Sequence, residues 1–572
     1  MIPVVFDNCR GWLHPGASRR GVIICGAHGF EDLCARSSLR LLAEQLSRQG
    51  LPTLRFDWRG TADSEGDGDA PHRVATWLGN IGEAVRKLVE MTGVEEVALV
   101  GVRLGALLAL EAARDIQPAR LVLLAPPASG RALKRELEVM SKIFQGKPGA
   151  DDDAFDGVSA AGFRISRATL DDLKLVGSRR ISGARNCATL VLSQNPEGAP
   201  LAEKLRETGA DVTVEPFEGY AEMMCDPTAA LAPVKAIRRI VDFVAEGATA
   251  THKVGPAPDA SAEGATLATD VWREEAAQFG PANRLVGIFC TPADNGAHEK
   301  AVVFLNSGGV YHIGWARMFV DMARHLARSG VASLRMDLSG VGDSLSPRSL
   351  SPQGPERAPL FDRSLTRDVE AAVDWLFSNG IREVALFGAC SGAYQAFHAA
   401  IEDKRVKRIA LVNQACFIYG PTYAMQIEAW RRTKAADIAM KLASFEGAAE
   451  NAPGGARALL FSLAKKVAKA GLAHATDATY ALRRRVPGLN MVERWFSELS
   501  SRGAEVLLIY SENDPGLSEL ERHLGARSHD ETPLPGVYTK LIADTDHELT
   551  PQSARAAVSA ALDDFIAGRA AA

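Results

Sequence analysis

Three residues in the second half of the sequence have the types that nucleophilic acyl transfer needs. Cys390 lies in a Gly-Ala-Cys-Ser-Gly turn, Asp514 follows the apolar run VLLIY, and His547 precedes the last helical segment. A thiol can attack a carbonyl carbon once an imidazole has taken its proton, and a carboxylate can fix the tautomer of that imidazole. We therefore predict Cys390 as nucleophile, His547 as base and Asp514 as acid. A neighbouring imidazolium and the N-terminus of the following helix would both favour the thiolate.

Two of these assignments have a neighbouring alternative. A turn centred on Ser391 would need small residues on either side of it, and Ala389 and Ala393 would fit. The alignment of the strand VALFG with an earlier copy, VALVG, favours Cys390 as the centre of the turn. The acid has an alternative in Asp546, although adjacent side chains rarely point at one another.

The residues that would position this site occur twice in the chain, which indicates an internal duplication. Leu51–Ser64 reads LPTLRFDWRGTADS, and Val331–Ser344 reads VASLRMDLSGVGDS. The identical residues share an offset of 280, and they are the pairs Arg55/Arg335, Asp57/Asp337, Gly60/Gly340, Asp63/Asp343 and Ser64/Ser344. A period this long is a repeat of whole domains.

A second pair of segments supports the duplication and gives the domain boundaries. Glu95–Ala106 matches Arg382–Ala393 at an offset of 287, and the seven extra residues fall in the stretch SPRSLSPQGPERAP, which is typical of a surface loop. Residues 246–266 are rich in Ala, Gly, Pro and Thr and show no apolar periodicity, as expected of a linker. We predict one domain at residues 1–245 and another at residues 267–572.

Short apolar runs alternate with helical stretches in both copies. The runs are GVIICG, TLRFD, VALVG, LVLLA and TLVLS in the first copy, and AVVFLN, SLRMD, VALFG, IALVN and VLLIY in the second. Continuous apolar strands between helices are typical of a buried parallel sheet with helices on both faces. The predicted fold class is therefore α/β, with a mainly parallel sheet in each domain.

Composition excludes several other classes of protein. The 572 residues are 47% hydrophobic and 24% charged, which is ordinary for a globular chain and argues against a disordered or fibrous one. A net charge of -5 offers no basic field for a nucleic acid. No apolar stretch approaches the roughly 18 to 20 residues of a membrane-spanning helix. The N-terminus lacks the pattern of a secretory signal, and the eight cysteines are too sparse for a disulfide framework. We expect a cytosolic protein.

The turns that end VALVG and VALFG resemble the nucleophile elbow of the α/β-hydrolase superfamily, a strained strand–turn–helix flanked by glycines. The phrases LNSGGVYHIG and LRMDLSGVGDS are similar to bacterial hydrolases described as exosortase-associated or serine-aminopeptidase-like. The resemblance covers nearly the whole chain apart from the linker and lid-like inserts, and it implies two tandem hydrolase domains. It also implies an oxyanion hole made by the backbone N–H groups of Ser391 and of Gly309 or Val310. Tyr311 and His312 in the same loop would line the pocket, although a loop histidine is more often simply solvated.

The first copy departs from the hydrolase pattern at all three catalytic positions. Its elbow carries Arg103, which cannot act as a nucleophile. Its acid loop reads Ser-Gln-Asn-Pro from Ser193, and the stretch Glu218–Met224 contains no histidine. We interpret this copy as a pseudo-hydrolase domain. Arg103 would either bind a carboxylate or phosphate at the former active site or be neutralised by neighbouring carboxylates.

The second copy has an insert at about residues 415–500, where α/β hydrolases carry a lid over the pocket. Its sequence has helical character, and between Glu428 and Arg485 it contains eleven basic residues and five acidic ones. This local excess of positive charge would suit an anionic partner such as coenzyme A or an acyl carrier protein, or it would form a solvated helical face.

Taken together, these features predict an enzyme of acyl transfer. A small ester or thioester would acylate Cys390, and the acyl group would pass to water or to another acceptor, as in a thioesterase, an esterase or an acyltransferase. The alternatives are a peptidase or amidase of the same fold, and a non-catalytic tandem scaffold. The motifs predict no cofactor and no metal.

Overall fold

The structure is a computed structural model of the chain. We refer to its residues up to 249 as the first half and to those from 265 onward as the second half. The residues that it describes are 1–144, 155–177, 187–195, 200–207, 209–249, 265–294, 296, 298–344, 346, 359–420, 490–525 and 534–569. Most of the predicted linker and the predicted lid between residues 421 and 489 lie outside the described residues.

The first half is built on an eight-stranded sheet. Its strands are β1 (Ile2–Phe6), β2 (Cys9–His14), β3 (Arg20–Cys25), β4 (Thr53–Phe56), β5 (Glu96–Val102), β6 (Arg120–Leu124), β9 (Ala188–Ser193) and β10 (Val212–Pro216), with β7 (Gly157–Ala160) and β8 (Phe163–Ser166) forming a separate ribbon. The helices are α1 (Phe30–Arg48), α2 (Arg73–Thr92), α3 (Leu104–Ile116), α4 (Gly130–Phe144), α5 (Arg167–Leu173), α6 (Pro200–Glu207), α7 (Tyr220–Met224) and α8 (Val234–Ala245). Apolar residues of α2 and α3 pack on one face of the sheet, and those of α1 and α8 pack on the other.

The second half is built on a nine-stranded sheet. Its strands are β11 (Leu267–Ala268), β12 (Trp272–Phe279), β13 (Leu285–Pro292), β14 (Lys300–Leu305), β15 (Ala332–Asp337), β16 (Glu383–Ala389), β17 (Val406–Val412), β18 (Glu505–Ser511) and β19 (Val537–Ile542). The helices are α9 (Met318–Arg328), α10 (Thr366–Ser378), α11 (Ser391–Glu402), α12 (Met491–Ser501), α13 (Pro515–Leu524) and α14 (Gln552–Ile566). Helix α12, at the end of the predicted lid range, packs on the core through Val492, Phe496 and Leu499.

The two sheets have the same topology, which confirms the predicted α/β class and the duplication. The first sheet runs β1-β2-β4-β3-β5-β6-β9-β10, and the second runs β12-β13-β15-β14-β16-β17-β18-β19 with β11 added at its edge. From β4 and β15 onward, neighbouring strands are parallel. The antiparallel strands at each edge were not predicted. The turn between β1 and β2 was a signal for them, because Asp7 and Asn8 adopt φ 43° and 59°, as a two-residue hairpin requires.

Buried ion pairs connect the two halves. They join the loop after β4 to β15, and the loop after β15 to β4. Asp63 Oδ1 accepts a hydrogen bond from Arg335 Nη2 at 2.9 Å. Asp343 Oδ1 lies 2.7 Å from Arg55 Nη1. These four residues are the two copies of a single arginine and a single aspartate in the duplicated sequence. Each half therefore gives its arginine to the aspartate of the other, and the contact has the self-complementarity of a twofold-symmetric dimer interface.

His312 lies between two aspartates at the centre of this interface. Its Nε2 is 2.6 Å from Asp63 Oδ2 in the first half, and its Nδ1 is 2.8 Å from Asp337 Oδ2 in its own half. All three side chains are buried. Burial opposes the charge on the imidazole, but the two carboxylates outweigh it and raise the pKa of His312 to about 10. His312 is therefore a buried imidazolium that links the halves.

Apolar contacts flank this charged centre on two sides. Trp12 of β2 packs against Val286 and Ile288 of β13, so the edge strands of the two halves face one another. A second cluster joins the start of α1 to the loop after β14, and it contains Phe30, Leu33, Cys34, Ala62, Val310, Tyr311, Ile313 and Trp315. The two halves are thus packed together through a shared core.

Among the helices in the described residues, none has both the length and the apolar composition that crossing a bilayer requires.

The raised pKa of His312 predicts a loss of stability in alkaline solution. In the unfolded chain the imidazole loses its proton near 6.5, whereas in the folded protein it keeps it to about pH 10. Its contribution is therefore complete below pH 6.5 and disappears as the pH rises through 10. We expect His312→Gln to lower the free energy of unfolding by about 3 kcal/mol at pH 7, because it leaves buried carboxylates without their cation. The deficit should shrink by pH 10, as measured by urea denaturation.

His325→Gln is the matched control. His325 Nε2 also lies 2.6 Å from a carboxylate, that of Asp563, but its side chain is 46% exposed. An exposed pair contributes less than about 1 kcal/mol, so this variant should follow the wild type at both pH values. A His312→Gln deficit of the same size at pH 7 and pH 10 would contradict the imidazolium.

Candidate active site

Cys390 forms the turn between β16 and α11. It adopts φ 52° and ψ -113°, a strained conformation that residues other than glycine rarely adopt. The turn depends on its two glycines, because a Cβ on Gly388 would lie 2.2 Å from Gly392 O and a Cβ on Gly392 would lie 2.4 Å from Asn306 O. The turn is therefore centred on Cys390, and Ser391 begins the helix.

His547 lies beside both Cys390 and Asp514. Its Nδ1 is 2.6 Å from Asp514 Oδ2, and its ring is within hydrogen-bonding reach of the Cys390 thiol. Burial opposes charge on the ring, but the Cys390 sulfur and the Asp514 carboxylate outweigh it and raise the pKa of His547 well above its usual value. The three residues predicted from the sequence as nucleophile, base and acid are brought together.

Asp514 is held in place by the helix that it starts. It follows β18 and caps α13, where its Oδ1 accepts a hydrogen bond from the N–H of Gly516 at 2.8 Å. The alternative acid, Asp546, is exposed, and its Oδ1 accepts from the N–H of Thr550 at 2.8 Å. The carboxylate that contacts His547 is therefore that of Asp514.

Asn413 is a site residue that the sequence analysis missed. It directly follows β17 with φ 47°, and it is buried. Its Nδ2 donates to Ser511 Oγ at 3.0 Å and to the carbonyl oxygen of His547 at 2.9 Å, and its Oδ1 accepts from the N–H of Ser511 at 2.8 Å. Asn413 thus ties the acid loop to the base loop. The signal was the single asparagine in IALVN, at the end of an otherwise apolar strand.

The loop after β14 lies over the elbow. The N–H of Gly308 donates to Ser391 Oγ at 3.0 Å, and the N–H of Ser391 has no acceptor within its own helix because it is the first helical residue. The N–H groups of the two other predicted donors are engaged elsewhere, that of Gly309 with Thr228 Oγ1 at 3.1 Å and that of Val310 with the carbonyl of Ser307 at 3.1 Å.

Tyr311 and His312 do not line a pocket at the elbow as expected. Both are buried in the interface between the halves, where the hydroxyl of Tyr311 donates to Asp32 Oδ2 at 2.7 Å and His312 bridges Asp63 and Asp337. The sequence could not show this because the partners of both residues belong to the other copy or to another strand.

The first half retains the elbow backbone without a nucleophile. Arg103 adopts φ 53° and ψ -113°, almost the values of Cys390. Its guanidinium binds Glu31, with an Nε–Oε1 distance of 2.6 Å, and also Glu136, and its Nη1 donates to the carbonyl of Ala125 at 3.2 Å. Of the two interpretations of Arg103, the structure shows neutralisation by neighbouring carboxylates.

A metal site can be tested at one group of ligating side chains. His312, Asp337 and Asp343 have ligand atoms within 4.8 Å of one another. Both nitrogens of His312 already face carboxylates, and the oxygens of Asp343 already face Arg36 and Arg55. A cation would have to displace these partners, so the group fits an ion-pair network better than a metal.

Comparisons with known proteins connect both halves to hydrolases. Residues 302–561 match the family described as "Alpha/beta hydrolase family", and residues 18–178 match the one described as "Serine aminopeptidase, S33". No curated protein matches the chain.

Among solved structures, the chain is similar to several enzymes. Est1E from Butyrivibrio proteoclasticus is 13% identical, with 52% of this chain and 99% of that chain covered and a TM-score of 0.30. The Pyrococcus furiosus esterase Pf2001 is 14% identical, with 51% and 90% covered and a TM-score of 0.31. XC6422 from Xanthomonas campestris, described as an a/b serine hydrolase without lid, is 12% identical, with 53% and 98% covered and a TM-score of 0.29.

The contact between His547 and Asp514 predicts how readily Cys390 reacts with an alkylating agent. Asp514→Asn keeps the oxygen that caps α13 but removes the negative charge that helps to raise the pKa of His547, so His547 becomes a weaker acceptor for the Cys390 proton. We expect the rate of Cys390 alkylation by iodoacetamide at pH 7 to fall about tenfold or more.

The matched control is Asp546→Asn, which removes the neighbouring carboxylate that does not contact His547. Its alkylation rate should equal that of the wild type. If Asp546→Asn slowed the reaction as much as Asp514→Asn, the acid would have to be assigned to Asp546.

Proposed function

Because the chain belongs to the α/β-hydrolase superfamily in both halves, we propose that it is an acyl-transfer enzyme whose chemistry is confined to the second half. The observation that carries the proposal is the contact of His547 with both Cys390 and the buried Asp514 at a strained elbow. The same elbow in the first half holds Arg103, which its carboxylate partners neutralise. One copy thus has a complete set of reactive groups and the other has none.

The proposed reaction proceeds through an acyl-cysteine. His547 takes the thiol proton of Cys390, and the sulfur attacks the carbonyl carbon of an ester or thioester. When the tetrahedral intermediate collapses, the bond to the leaving alcohol or thiol breaks, and His547 returns the proton to that group. Water or another acceptor then attacks the acyl-cysteine with the same imidazole as base, the bond from the acyl carbon to sulfur breaks, and His547 returns a proton to the Cys390 sulfur. Asp514 keeps Nδ1 of His547 protonated, so that Nε2 faces the reacting atoms.

The oxyanion of the intermediate needs backbone donors near Cys390. We propose the N–H of Ser391, at the start of α11, together with the N–H of Gly308, which points at the same place through its bond to Ser391 Oγ. To donate to an oxyanion, Gly308 would give up the side chain of Ser391, which belongs to the elbow itself, whereas Gly309 and Val310 would give up acceptors elsewhere.

The substrate that suits a thiol nucleophile best is a thioester or an activated ester. A thiol exchanges readily with thioesters, and the resulting acyl-enzyme can persist long enough for an acceptor to compete with water. The basic stretch between Glu428 and Arg485 would suit a carrier with negative charge, such as coenzyme A or an acyl carrier protein, and it lies outside the described residues. The serine aminopeptidase family matches the half with Arg103 in its elbow, so that match gives peptidase activity no support.

Intact-mass spectrometry tests the proposal directly. Incubation with p-nitrophenyl butyrate, or with the butyryl thioester of N-acetylcysteamine, should add one butyryl group to the wild-type protein. Cys390→Ala should show no adduct, because it lacks the attacking sulfur. Ser391→Ala should still be acylated, since its backbone N–H is unchanged.

Folding is checked by the thermal midpoint of each variant. Butyrylation of a folded Cys390→Ala protein would assign the nucleophile to another residue. A wild-type protein that reacts with neither probe and turns over neither would favour the non-catalytic scaffold.

A further inference from the structure

The loop that bears the proposed oxyanion donor is in direct contact with the first half. The N–H of Gly309 donates to Oγ1 of Thr228, which lies between α7 and α8. The packing is tight, because a Cβ on Gly308 would lie 2.4 Å from Thr228 Oγ1 and a Cβ on Gly309 would lie 2.1 Å from the carbonyl oxygen of Pro227. Only glycines can lie this close to the neighbouring segment.

Thr228 is itself held firmly. Its N–H donates to Oδ1 of Asp226 at 2.8 Å, and the N–H of Ala229 donates to the carbonyl oxygen of Asp226 at 3.0 Å. Asp226 is only 5% exposed, and Pro227 is buried. The hydroxyl of Thr228 is therefore offered to Gly309 from a fixed turn.

Thr228 lies in the segment of the first half that corresponds to the base-bearing segment of the second half. In the second half, the segment between the last strand, β19, and the last helix, α14, carries His547. In the first half, the corresponding segment lies between β10 and α8, and it contains Thr228 instead of a histidine. The segment between β10 and α8, which contains no histidine, thus contacts the oxyanion loop of the second half.

The bond from Gly309 bears on the proposed oxyanion donor because the two glycines are adjacent in the loop. Gly308 has φ 59°, and with no side chain on either residue the loop has many other conformations open to it. The bond to Thr228 fixes the N–H of Gly309 and the peptide plane between the two glycines, and Gly308 itself packs against Thr228 Oγ1. Together these contacts restrict the turn at Gly308, whose own N–H reaches Ser391 Oγ. Without the hydroxyl of Thr228, the N–H of Gly309 would lose its acceptor.

We propose that Thr228 of the first half is a positioning residue for the reaction of the second half. It holds the oxyanion loop in the conformation in which the N–H of Gly308 contacts Ser391, the residue after Cys390. The inference rests on the proposed acyl transfer. It gives the pseudo-hydrolase half a role in that reaction, through the loop where its own base would be.

The test compares Thr228→Val, which has nearly the same shape without the hydroxyl, with Thr228→Ser, which keeps it. With the butyryl thioester, we expect Thr228→Val to lower kcat about tenfold with little change in KM, because the oxyanion develops only in the transition state. Thr228→Ser should restore most of the turnover. Alkylation of Cys390 by iodoacetamide forms no oxyanion, so its rate should be the same in all three proteins.

Thr92→Val is the matched control within the first half. It is the last residue of α2, and its Oγ1 donates to the carbonyl of Leu88 in the same helix. It should leave both turnover and alkylation unchanged. If Thr228→Val failed to fold, Thr228→Ala would replace it, and the thermal midpoint decides which is used.

The outcomes separate this inference from the proposed function. If the wild type is acylated and Thr228→Val turns over as fast as the wild type, Thr228 does not position the loop, although acyl transfer stands. An equal fall in alkylation and turnover would indicate general damage to the site and would also overturn the inference. A wild type that is not acylated by either probe and turns over neither overturns both.

Discussion

A buried carboxylate is costly unless a cation or hydrogen-bond donors are buried with it, and at this interface each half takes a cation from the other. Asp63 is paired with Arg335, and Asp343 is paired with Arg55. A shift of a few ångströms between the halves would leave charges unpaired in a water-free interior, so the pairs fix how the halves lie against each other. The fixed register is what allows Thr228 of one half to meet Gly309 of the other within hydrogen-bonding distance.

The two elbows have the same backbone conformation but different side chains and different surroundings. Arg103 and Cys390 have nearly the same φ and ψ, because in each copy the first flanking glycine packs against the backbone of the following helix and the second packs against backbone oxygens at the end of β3 or β14. The strained turn is therefore kept by packing, whether or not a nucleophile occupies it. What differs is the surroundings: Arg103 meets Glu31 and Glu136, whereas Cys390 meets a histidine with a carboxylate behind it.

Features that depend on a local pattern or on the duplication could be predicted from the sequence. Ten of the twelve parallel strands, the elbow at Cys390 and the positions of Asp514 and His547 follow from apolar runs and from the repeat, whereas β10 and β19 were not predicted. Features that depend on contact between the copies could not be predicted from a linear pattern. His312 was expected to line a pocket but is an imidazolium of the interface, since its partner Asp63 lies in the other copy. The antiparallel edge strands were missed because, as with β1 and β2, their signal is a short turn rather than a long apolar run.

At the interface, equivalent positions of the two copies carry different residues. In a dimer of identical chains, every substitution in a symmetric contact occurs twice, so a histidine between two aspartates would appear on both sides of the axis. In this chain the position occupied by His312 corresponds to Asp32, at the same offset of 280 as the shared arginines and aspartates. One copy carries the imidazolium, and the other carries a carboxylate that accepts from Tyr311. Because both copies lie in one chain, a residue in one copy can be substituted without the same substitution in the other. The two halves therefore keep the same fold while their interface residues differ.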